Sequence, residues 1–155
     1  MENHEIEEIY KEYNQMVYRL VFSYVKNEGD AEDLMQEIFI KRMCYNKEFE
    51  SKEHEKRWMI RVSVNLAKDH LKSFWKKKRC SLEEVQLQVP WNMDEEKKQV
   101  LEEVFRLPDK CKSVIYLHYF EGYSCKEIGE ILHCSESAVK MRLKKGRSLL
   151  KLELE

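Results

Sequence analysis

The sequence predicts an all-α protein made of two small helical domains joined by a short linker. Apolar residues recur at three- and four-residue steps through most of the 155-residue chain, which is the period of an amphipathic helix. Charged residues make up 37% of the chain, yet it holds only 4 glycines and 2 prolines, which favours long helices over strands. A proline-containing stretch at 80–94 separates the two helical parts.

The first domain, residues 1–79, begins with an apolar pattern in helical register over 6–24. This pattern predicts one amphipathic helix or a closely joined pair. The tripeptide at 27–29 contains a glycine and interrupts the pattern. Asp30 is predicted to cap the next helix, since its carboxylate would lie at the positive end of the helix dipole.

The rest of this domain is predicted to be a loop followed by a helix. Residues 46–55 are mostly polar and indicate a loop. A helix is predicted over about 56–78, with Trp58, Val62 and Leu66 one turn apart on its buried side. This spacing favours a core position for Trp58 over a role in stacking on bases.

The linker is predicted over 80–94, where the charge changes sign and Pro90 interrupts any helix. Ser81 and Glu84 have the spacing of a capping box, which predicts one helical turn inside the linker. The second domain, 95–155, therefore begins with a new helix.

Two helices open the second domain. An apolar stripe ends just before Pro108, and proline favours the start of the following helix. Gly122 is suited to the left-handed conformation that ends this second helix. A further pair of helices is predicted after it.

Residues 124–147 carry the most informative pattern in the chain. Ser124 and Glu127 have the spacing of a capping box that opens a short helix. Gly129 is predicted to lie where the next helix passes close by, and Ser135 is predicted to cap that helix. The predicted buried residues of this helix pair are Ile128, Ile131, Leu132, Val139 and Leu143.

Two short helices, a tight turn at 133–134 and a basic outer face are what insertion into the DNA major groove requires. The outward-pointing basic residues of the second helix are Lys140, Lys144, Lys145 and Arg147. The pattern therefore predicts a DNA-binding helix-turn-helix. The alternative is a generic helical hairpin with a basic surface.

The distribution of charge supports nucleic-acid binding, although the net charge is only −1. Residues 57–80 carry 8 basic and 1 acidic side chains, a net of +7. Residues 139–151 hold six basic side chains and no acidic one. Two separate basic patches in an otherwise acidic chain predict two phosphate-facing surfaces. The alternative for each patch is an ordinary solvated helix face.

Other functional classes find little support in the sequence. It contains no phosphate loop, nucleophile elbow or H-E-x-x-H motif, so no enzyme activity and no cofactor are expected. The five cysteines never form a C-x-x-C pair and are expected to be free thiols. A metal site of Cys125, His133 and Cys134 is conceivable but matches no familiar zinc spacing, so no metal is expected.

No apolar run approaches the length of about 18 residues that a membrane helix needs. The first residues are acidic and lack the pattern of a signal peptide. These features predict a cytoplasmic protein without membrane insertion.

Three segments resemble the extracytoplasmic-function sigma factors of bacterial RNA polymerase. Residues 107–132 resemble domain 4 of that family, and 30–41 are similar to the domain 2 segment that grips the polymerase. Residues 58–71 resemble the family's promoter-melting helix. The matches follow the family's order and spacing, and they cover roughly 10–79 and 95–151. The resemblance implies a sigma factor that directs promoter-specific transcription initiation.

The resemblance also implies roles for domain 2. Asp33, Gln36 and Glu37 would face core RNA polymerase. Asn65 and Lys68, together with the 46–55 loop, would hold a flipped-out base of the −10 promoter element, because an Asn amide can read a base edge. The implied phosphate contacts are Arg61, Lys72, Lys76, Lys77, Lys78 and Arg79.

Domain 4 would bind the −35 element through the second helix of the helix-turn-helix. The residues implied in this contact are Ser135, Ser137, Lys140, Met141, Lys144, Lys145 and Arg147. The implied partners of the whole protein are core RNA polymerase, promoter DNA and an anti-sigma factor. The alternative function is a stand-alone helix-turn-helix regulator, which would bind duplex DNA without polymerase.

Three departures from the family pattern affect these expectations. Ile60 stands where an aromatic residue is common, which removes a stacking group. His133 replaces the usual turn glycine and would cost about 1 kcal/mol if its backbone is left-handed. Ser135 and Ser137 replace a proline and a glycine, so the −35 preference of relatives does not transfer.

Overall fold

The computed structural model describes residues 2–77 and 94–154, with side chains described for 2–73 and 94–150. Within this part of the chain every regular element is a helix, which confirms the all-α prediction. The helices are α1 (Asn3–Val25), α2 (Glu28–Met43), α3 (Lys52–Lys77), α4 (Glu95–Phe105), α5 (Asp109–Tyr119), α6 (Cys125–Leu132) and α7 (Glu136–Leu154).

The chain divides into two compact units, Met1–Val85 and Gln86–Glu155. The predicted linker, 80–94, lies outside the described residues apart from Asp94, which caps α4. The predicted capping box of Ser81 and Glu84 also lies outside them. The domain boundaries of the sequence analysis therefore stay predictions.

In the N-terminal unit, α1 packs against both α2 and α3, and α2 also contacts α3. The three helices enclose one core because each turns a buried apolar stripe inward. The principal core residues are Tyr13, Val17, Leu20, Val21 and Tyr24 of α1, Ala31, Leu34 and Ile38 of α2, and Met59, Ile60, Val64 and Ala67 of α3.

The corner between α1 and α2 differs from the prediction. α1 is one continuous helix that ends at Val25, and the next residue, Lys26, has a left-handed backbone with φ 59°. Asn27 caps α2, since its Oδ1 accepts the Asp30 N–H at 2.8 Å. The prediction that Asp30 is the cap is wrong. Asp30 lies in the first turn instead, where its carboxylate still favours the positive end of the dipole.

The start of α3 also differs from the prediction. α3 begins at Lys52, so the predicted loop over 46–55 is wrong at its C-terminal end. Ser51 Oγ accepts the His54 N–H at 3.0 Å, and this contact stabilises the first turn. Glu55, in the same turn, accepts from Arg42 Nε and Nη2 at 3.0 and 2.6 Å.

The buried face of α3 is not the predicted one. Trp58, Val62 and Leu66 are only half-buried. The buried residues are Met59, Ile60, Ser63, Val64 and Ala67. The predicted stripe is one residue away from the buried one, which is a rotation of roughly 100° about the helix axis. Two apolar stripes run along α3, and the prediction selected the one with the larger side chains.

In the C-terminal unit, α5 contacts α4, α6 and α7. α5 follows Pro108 directly, and Gly122 has φ 77°, so both predicted signals are confirmed. A Cβ atom at Gly146 would lie 2.8 Å from Ile115 Cγ1, so the glycine allows α7 to approach α5 closely. The core of this unit is formed by Leu101, Val104, Phe105, Val114, Ile115, Leu117, Ile128, Ile131, Val139 and Leu143.

Candidate nucleic-acid interface

The first helix of the helix-turn-helix is fixed by its N-terminal cap. Ser124 Oγ accepts the Glu127 N–H at 3.2 Å, and Glu127 Oε1 accepts the Ser124 N–H at 3.0 Å. The predicted capping box is therefore confirmed. Ile128 and Ile131 are buried as predicted, whereas Leu132 is only half-buried, so its predicted core position is wrong.

The turn between α6 and α7 is tight. A Cβ atom at Gly129 would lie 2.7 Å from the Cys134 carbonyl oxygen, which confirms why this position needs glycine. His133 is left-handed, with φ 56° and ψ 50°. A histidine there costs about 1 kcal/mol relative to glycine, so the rest of the motif compensates for a strained turn.

α7 presents a polar and basic outer face. Ser135 Oγ accepts the Ala138 N–H at 3.0 Å, so Ser135 caps α7 as predicted. Val139 and Leu143 are buried, which turns the opposite side of the helix to solvent. The side chains predicted to contact the −35 element are all exposed; they are Ser135, Ser137, Lys140, Met141, Lys144, Lys145 and Arg147.

The basic side chains of α7 differ in their partners. Lys140 Nζ lies 3.4 Å from Glu136 Oε1, and Arg147 Nη1 donates to the Tyr119 hydroxyl at 3.1 Å. Lys144 and Lys145 have no ion-pair partner among the described residues. Both ammonium groups are therefore available to a phosphate backbone.

The predicted DNA contacts of α3 lie on one long helix. Asn65, Lys68 and Lys72 are exposed, and Arg61 is half-buried. Lys76 and Lys77 belong to α3, but their side chains lie outside the described residues. Lys78 and Arg79 lie outside them altogether.

The loop before α3 carries an aromatic cluster. Tyr45 stacks on Phe49 with ring centroids 4.9 Å apart, and Trp58 packs against both rings at 4.9 and 5.7 Å. The Arg42 guanidinium lies 4.8 Å from the centre of the Phe49 ring. Through its ion pair with Glu55, Arg42 therefore ties the loop to α3.

A groove of about 770 Å³ opens beside this loop. Its walls include the loop residues 45–49 and Arg42, Met43 and Glu55. Neither Asn65 nor Lys68 lines it. Asn65 lies roughly 15 Å along α3 from Glu55, so the groove and the predicted base-reading amide are separate places on the same unit.

Tyr13 of α1 contacts the chain where the loop before α3 ends. Its hydroxyl donates to the Lys52 carbonyl oxygen at 3.4 Å. Burial, with nearby Glu55, raises the pKa of Tyr13 well above its usual value. The phenol therefore stays protonated and keeps its donor role at all ordinary pH values.

The outer face of α2 combines polar and apolar side chains. Asp33, Gln36 and Glu37 are exposed, as the sequence analysis expected. Ile40 and Met43 follow them on the outside of the helix and are 56% and 44% exposed. Such large apolar side chains beside carboxylates are typical of a protein-binding surface.

Two family models match the chain. Sigma-70 region 2 matches residues 9–77, and Sigma-70 region 4 matches residues 97–150. The sigma factor SigV of Bacillus subtilis (strain 168) is 32% identical over 144 residues, which cover 92% of this chain and 87% of that protein. The ECF sigma factor SigW of the same organism is 30% identical over 160 residues, covering 92% and 84%. The chain belongs to the extracytoplasmic-function RNA polymerase sigma factors.

A solved structure supports the fold of this sigma factor. RpoE from Bartonella quintana, crystallised with the anti-sigma factor NepR, superposes with a TM-score of 0.75 at 15% identity. The match covers 97% of this chain and 96% of that one. The predicted family, its all-α architecture and its role in promoter-directed transcription are confirmed. The alternative of a stand-alone regulator is not favoured, because it leaves the region 2 match over 9–77 unexplained.

Several surface residues of this sigma factor were not predicted from its sequence. Ile40, Met43 and Tyr10 expose large apolar areas on the outside of α1 and α2, and Tyr10 packs on Phe39 at 5.1 Å. Phe49 was predicted only as part of the polar 46–55 loop, and Tyr45, directly before that loop, was assigned no role of its own. A usable signal was present for Ile40, because it falls seven residues after Asp33, on the same helix face.

Within the described residues of this sigma factor, one three-residue cluster has side chains close enough to hold a metal ion: Glu2, His4 and Glu5, all exposed. Cys125 and Cys134 are half-buried free thiols and do not form such a cluster with His133. In the described part of the chain, no helix combines the length and apolarity needed to cross a bilayer.

Proposed function

We propose that this sigma factor docks on core RNA polymerase through α2, holds the melted −10 strand along α3, and reads the duplex −35 element with α7. The observation that carries the proposal is the outer face of α7. Its lysines lie on a helix whose opposite side is buried, and Lys144 and Lys145 have no ion-pair partner among the described residues.

Contact with the −35 element follows from the geometry of the helix-turn-helix. The N-terminal half of a recognition helix enters the major groove, while flanking cations meet the phosphates. Ser137, Lys140 and Met141 lie in the first two turns of α7 and are exposed. Ser135 Oγ already caps the helix, so its hydroxyl can reach DNA only as a second, shared contact.

Contact with the −10 element is proposed for two places on the N-terminal unit. Asn65 and Lys68 offer an amide and an ammonium group on the exposed side of α3. The half-buried residues Trp58, Val62 and Leu66 run beside them as an apolar stripe. Single-stranded bases stack on such surfaces, and cations beside them hold the backbone. The groove of the 44–51 loop would take a flipped-out base.

Docking on the polymerase is proposed for the outer face of α2. Asp33, Gln36 and Glu37 supply the polar part of this surface, and Ile40 and Met43 supply its apolar part toward the C-terminal end of α2. Removal of exposed apolar area from water supplies the binding free energy, and the carboxylates orient the partner.

Expectations about location, catalysis, domain bounds and regulation complete the proposal. The protein acts in the cytoplasm as an initiation factor without catalytic activity, since sigma factors are not enzymes. Its two domains are residues 1–79 and 95–155. A related sigma factor has been crystallised with an anti-sigma factor, which supports a regulator of that class for this chain.

Reconstitution with core RNA polymerase tests the proposal. The wild-type chain should select promoters from a pool of genomic fragments and direct transcripts from them. Absence of transcripts from any fragment, together with tight binding of duplex DNA without polymerase, would contradict a sigma role.

A surface variant tests binding to core polymerase separately from binding to DNA. Replacement of Asp33, Gln36 and Glu37 by Ala should abolish binding to core polymerase without loss of helix content, because all three side chains are exposed. A matched control removes two exposed carboxylates of α1, Glu7 and Glu8, and should leave polymerase binding unchanged. Equal loss in both variants would assign the effect to charge rather than to this surface.

A further inference from the structure

Met141 is the most exposed of the large apolar side chains in the described residues, at 72%. One exposed apolar side chain needs no explanation by itself. Its neighbours give this one meaning, because it lies among exposed lysines: Lys144 and Lys145 have no ion-pair partner among the described residues, and Lys140 Nζ lies 3.4 Å from Glu136 Oε1. Phosphates are bound by charged and polar groups, so an apolar side chain in the middle of such a surface must contact another part of the DNA.

The position of Met141 on the helix follows from its buried residues. Val139, Leu143 and Gly146 mark the side of α7 that faces the core. At roughly 100° per residue, Met141 points within roughly 20° of the opposite direction. Lys144 then falls to one side of it and Lys145 to the other. Met141 therefore lies in the middle of the outer face, with a lysine on each side.

This arrangement matches the cross-section of a major groove. Side chains in the middle of a recognition helix's outer face contact the base edges, and long basic side chains beside them reach the phosphates of the two strands. A thioether donates no hydrogen bond and accepts only weakly, so Met141 cannot read the amino and carbonyl pattern of a base pair. The apolar feature of the major groove is the C5-methyl group of thymine.

We propose that Met141 is a specificity residue that contacts the C5-methyl group of a thymine in the −35 element. This inference rests on the proposed function, since it requires α7 to lie in the groove of that element. An unbranched, flexible side chain can follow a methyl group through small shifts of the helix. The consequence is a preference for a T·A pair at one position, on either strand.

Single-methyl deletion in the DNA tests the contact. The holoenzyme, assembled from the full chain and core polymerase, is bound to a promoter duplex that it has itself selected from genomic fragments. Each thymine of the −35 element is replaced in turn by deoxyuridine, which removes only the methyl group. One position should lose about fourfold in affinity, equivalent to the ~0.8 kcal/mol transfer free energy of one methyl-sized group.

The variant M141A should show no difference between thymine and deoxyuridine at that position, and M141L should retain the difference. As a matched control, K144A should weaken both duplexes equally. If no thymine is sensitive, or if the sensitivity persists in M141A, the inference is wrong while the sigma function stands. If the wild-type holoenzyme selects no promoter, the proposed function fails first and the inference with it.

Discussion

α3 and α7 both carry basic residues, yet they differ in how many apolar stripes they have and in which of them is buried. α7 turns the stripe of Val139, Leu143 and Gly146 inward, and among its described side chains Met141 is the one exposed large apolar group. α3 carries two apolar stripes, of which only the one containing Met59 and Val64 is buried. A helix with one stripe can be oriented from its own sequence. A helix with two stripes cannot be oriented in this way, because the helices that pack against it determine which stripe is buried.

The difference also matches two forms of DNA. Reading a duplex requires hydrogen bonds and charges that enter a groove, and in the proposed function α7 would supply these. Holding a melted strand benefits from apolar surface on which bases stack, and in the proposed function the half-buried stripe of α3 with Trp58 would supply that surface. We therefore expect substitutions in the two stripes of α3 to separate stability from promoter opening.

The largest effect should come from the buried stripe of α3. Met59→Ala removes a fully buried side chain and should lower the free energy of unfolding by ~2–5 kcal/mol. Val62→Ala, in the half-buried stripe, should cost less than half as much but slow promoter opening. Urea unfolding and permanganate footprinting of the melted strand measure the two quantities. Equal losses of stability would remove the distinction between the stripes.

The next effect concerns the close contact inside the helix-turn-helix. Gly129→Ala places a Cβ 2.7 Å from a backbone oxygen and should destabilise α6 and α7 by ~1–3 kcal/mol. Gly29→Ala is the control in the other unit, because its Cβ would have no heavy atom closer than 3.6 Å. Amide hydrogen exchange in each unit reports the change. Unaltered exchange in α6 and α7 of Gly129→Ala would show that the turn relaxes freely.

Most of the C-terminal unit could be predicted from the sequence because its signals are local. The capping box of Ser124 and Glu127, the cap at Ser135 and the close approach at Gly129 each depend on residues within a few positions. Propensity, capping and apolar spacing all favour the same arrangement there. The direction of each exposed lysine follows once the buried positions are fixed.

The N-terminal unit was predicted less well because its deciding contacts are distant in sequence. The ion pair between Arg42 and Glu55 and the packing of Trp58 on Tyr45 join α3 to residues on the other side of the loop before it. Neither contact leaves a periodic signal. At the first corner, Asn27 and Asp30 were both capable of capping α2, and the structure starts the helix directly after Asn27.

A smaller effect compares the two non-glycine residues with positive φ among the described residues, Lys26 and His133. Each ends a helix with a left-handed backbone that glycine adopts without strain. His133→Gly should stabilise the C-terminal unit by about 1 kcal/mol, and Lys26→Gly should do the same for the N-terminal unit. Thermal unfolding of each variant measures the gain. A loss of stability at His133 would mean that its side chain supports the turn.

The smallest effects should distinguish lysines within α7. Lys144→Ala removes a cation without an ion-pair partner among the described residues, so −35 binding should weaken a few-fold and the salt-dependence slope should fall by about 0.9. Lys140 already lies 3.4 Å from Glu136, so part of its charge is neutralised before DNA arrives. Lys140→Ala should therefore reduce the slope less.

Titration of binding against salt for both variants, with Glu136→Gln beside them, tests this order. Removal of the carboxylate should raise affinity and bring Lys140 up to the contribution of Lys144. Identical slopes for Lys140→Ala and Lys144→Ala in the wild-type background would show that DNA displaces Glu136 completely. The salt slope would then count the cations on α7 rather than their pairing in the free protein.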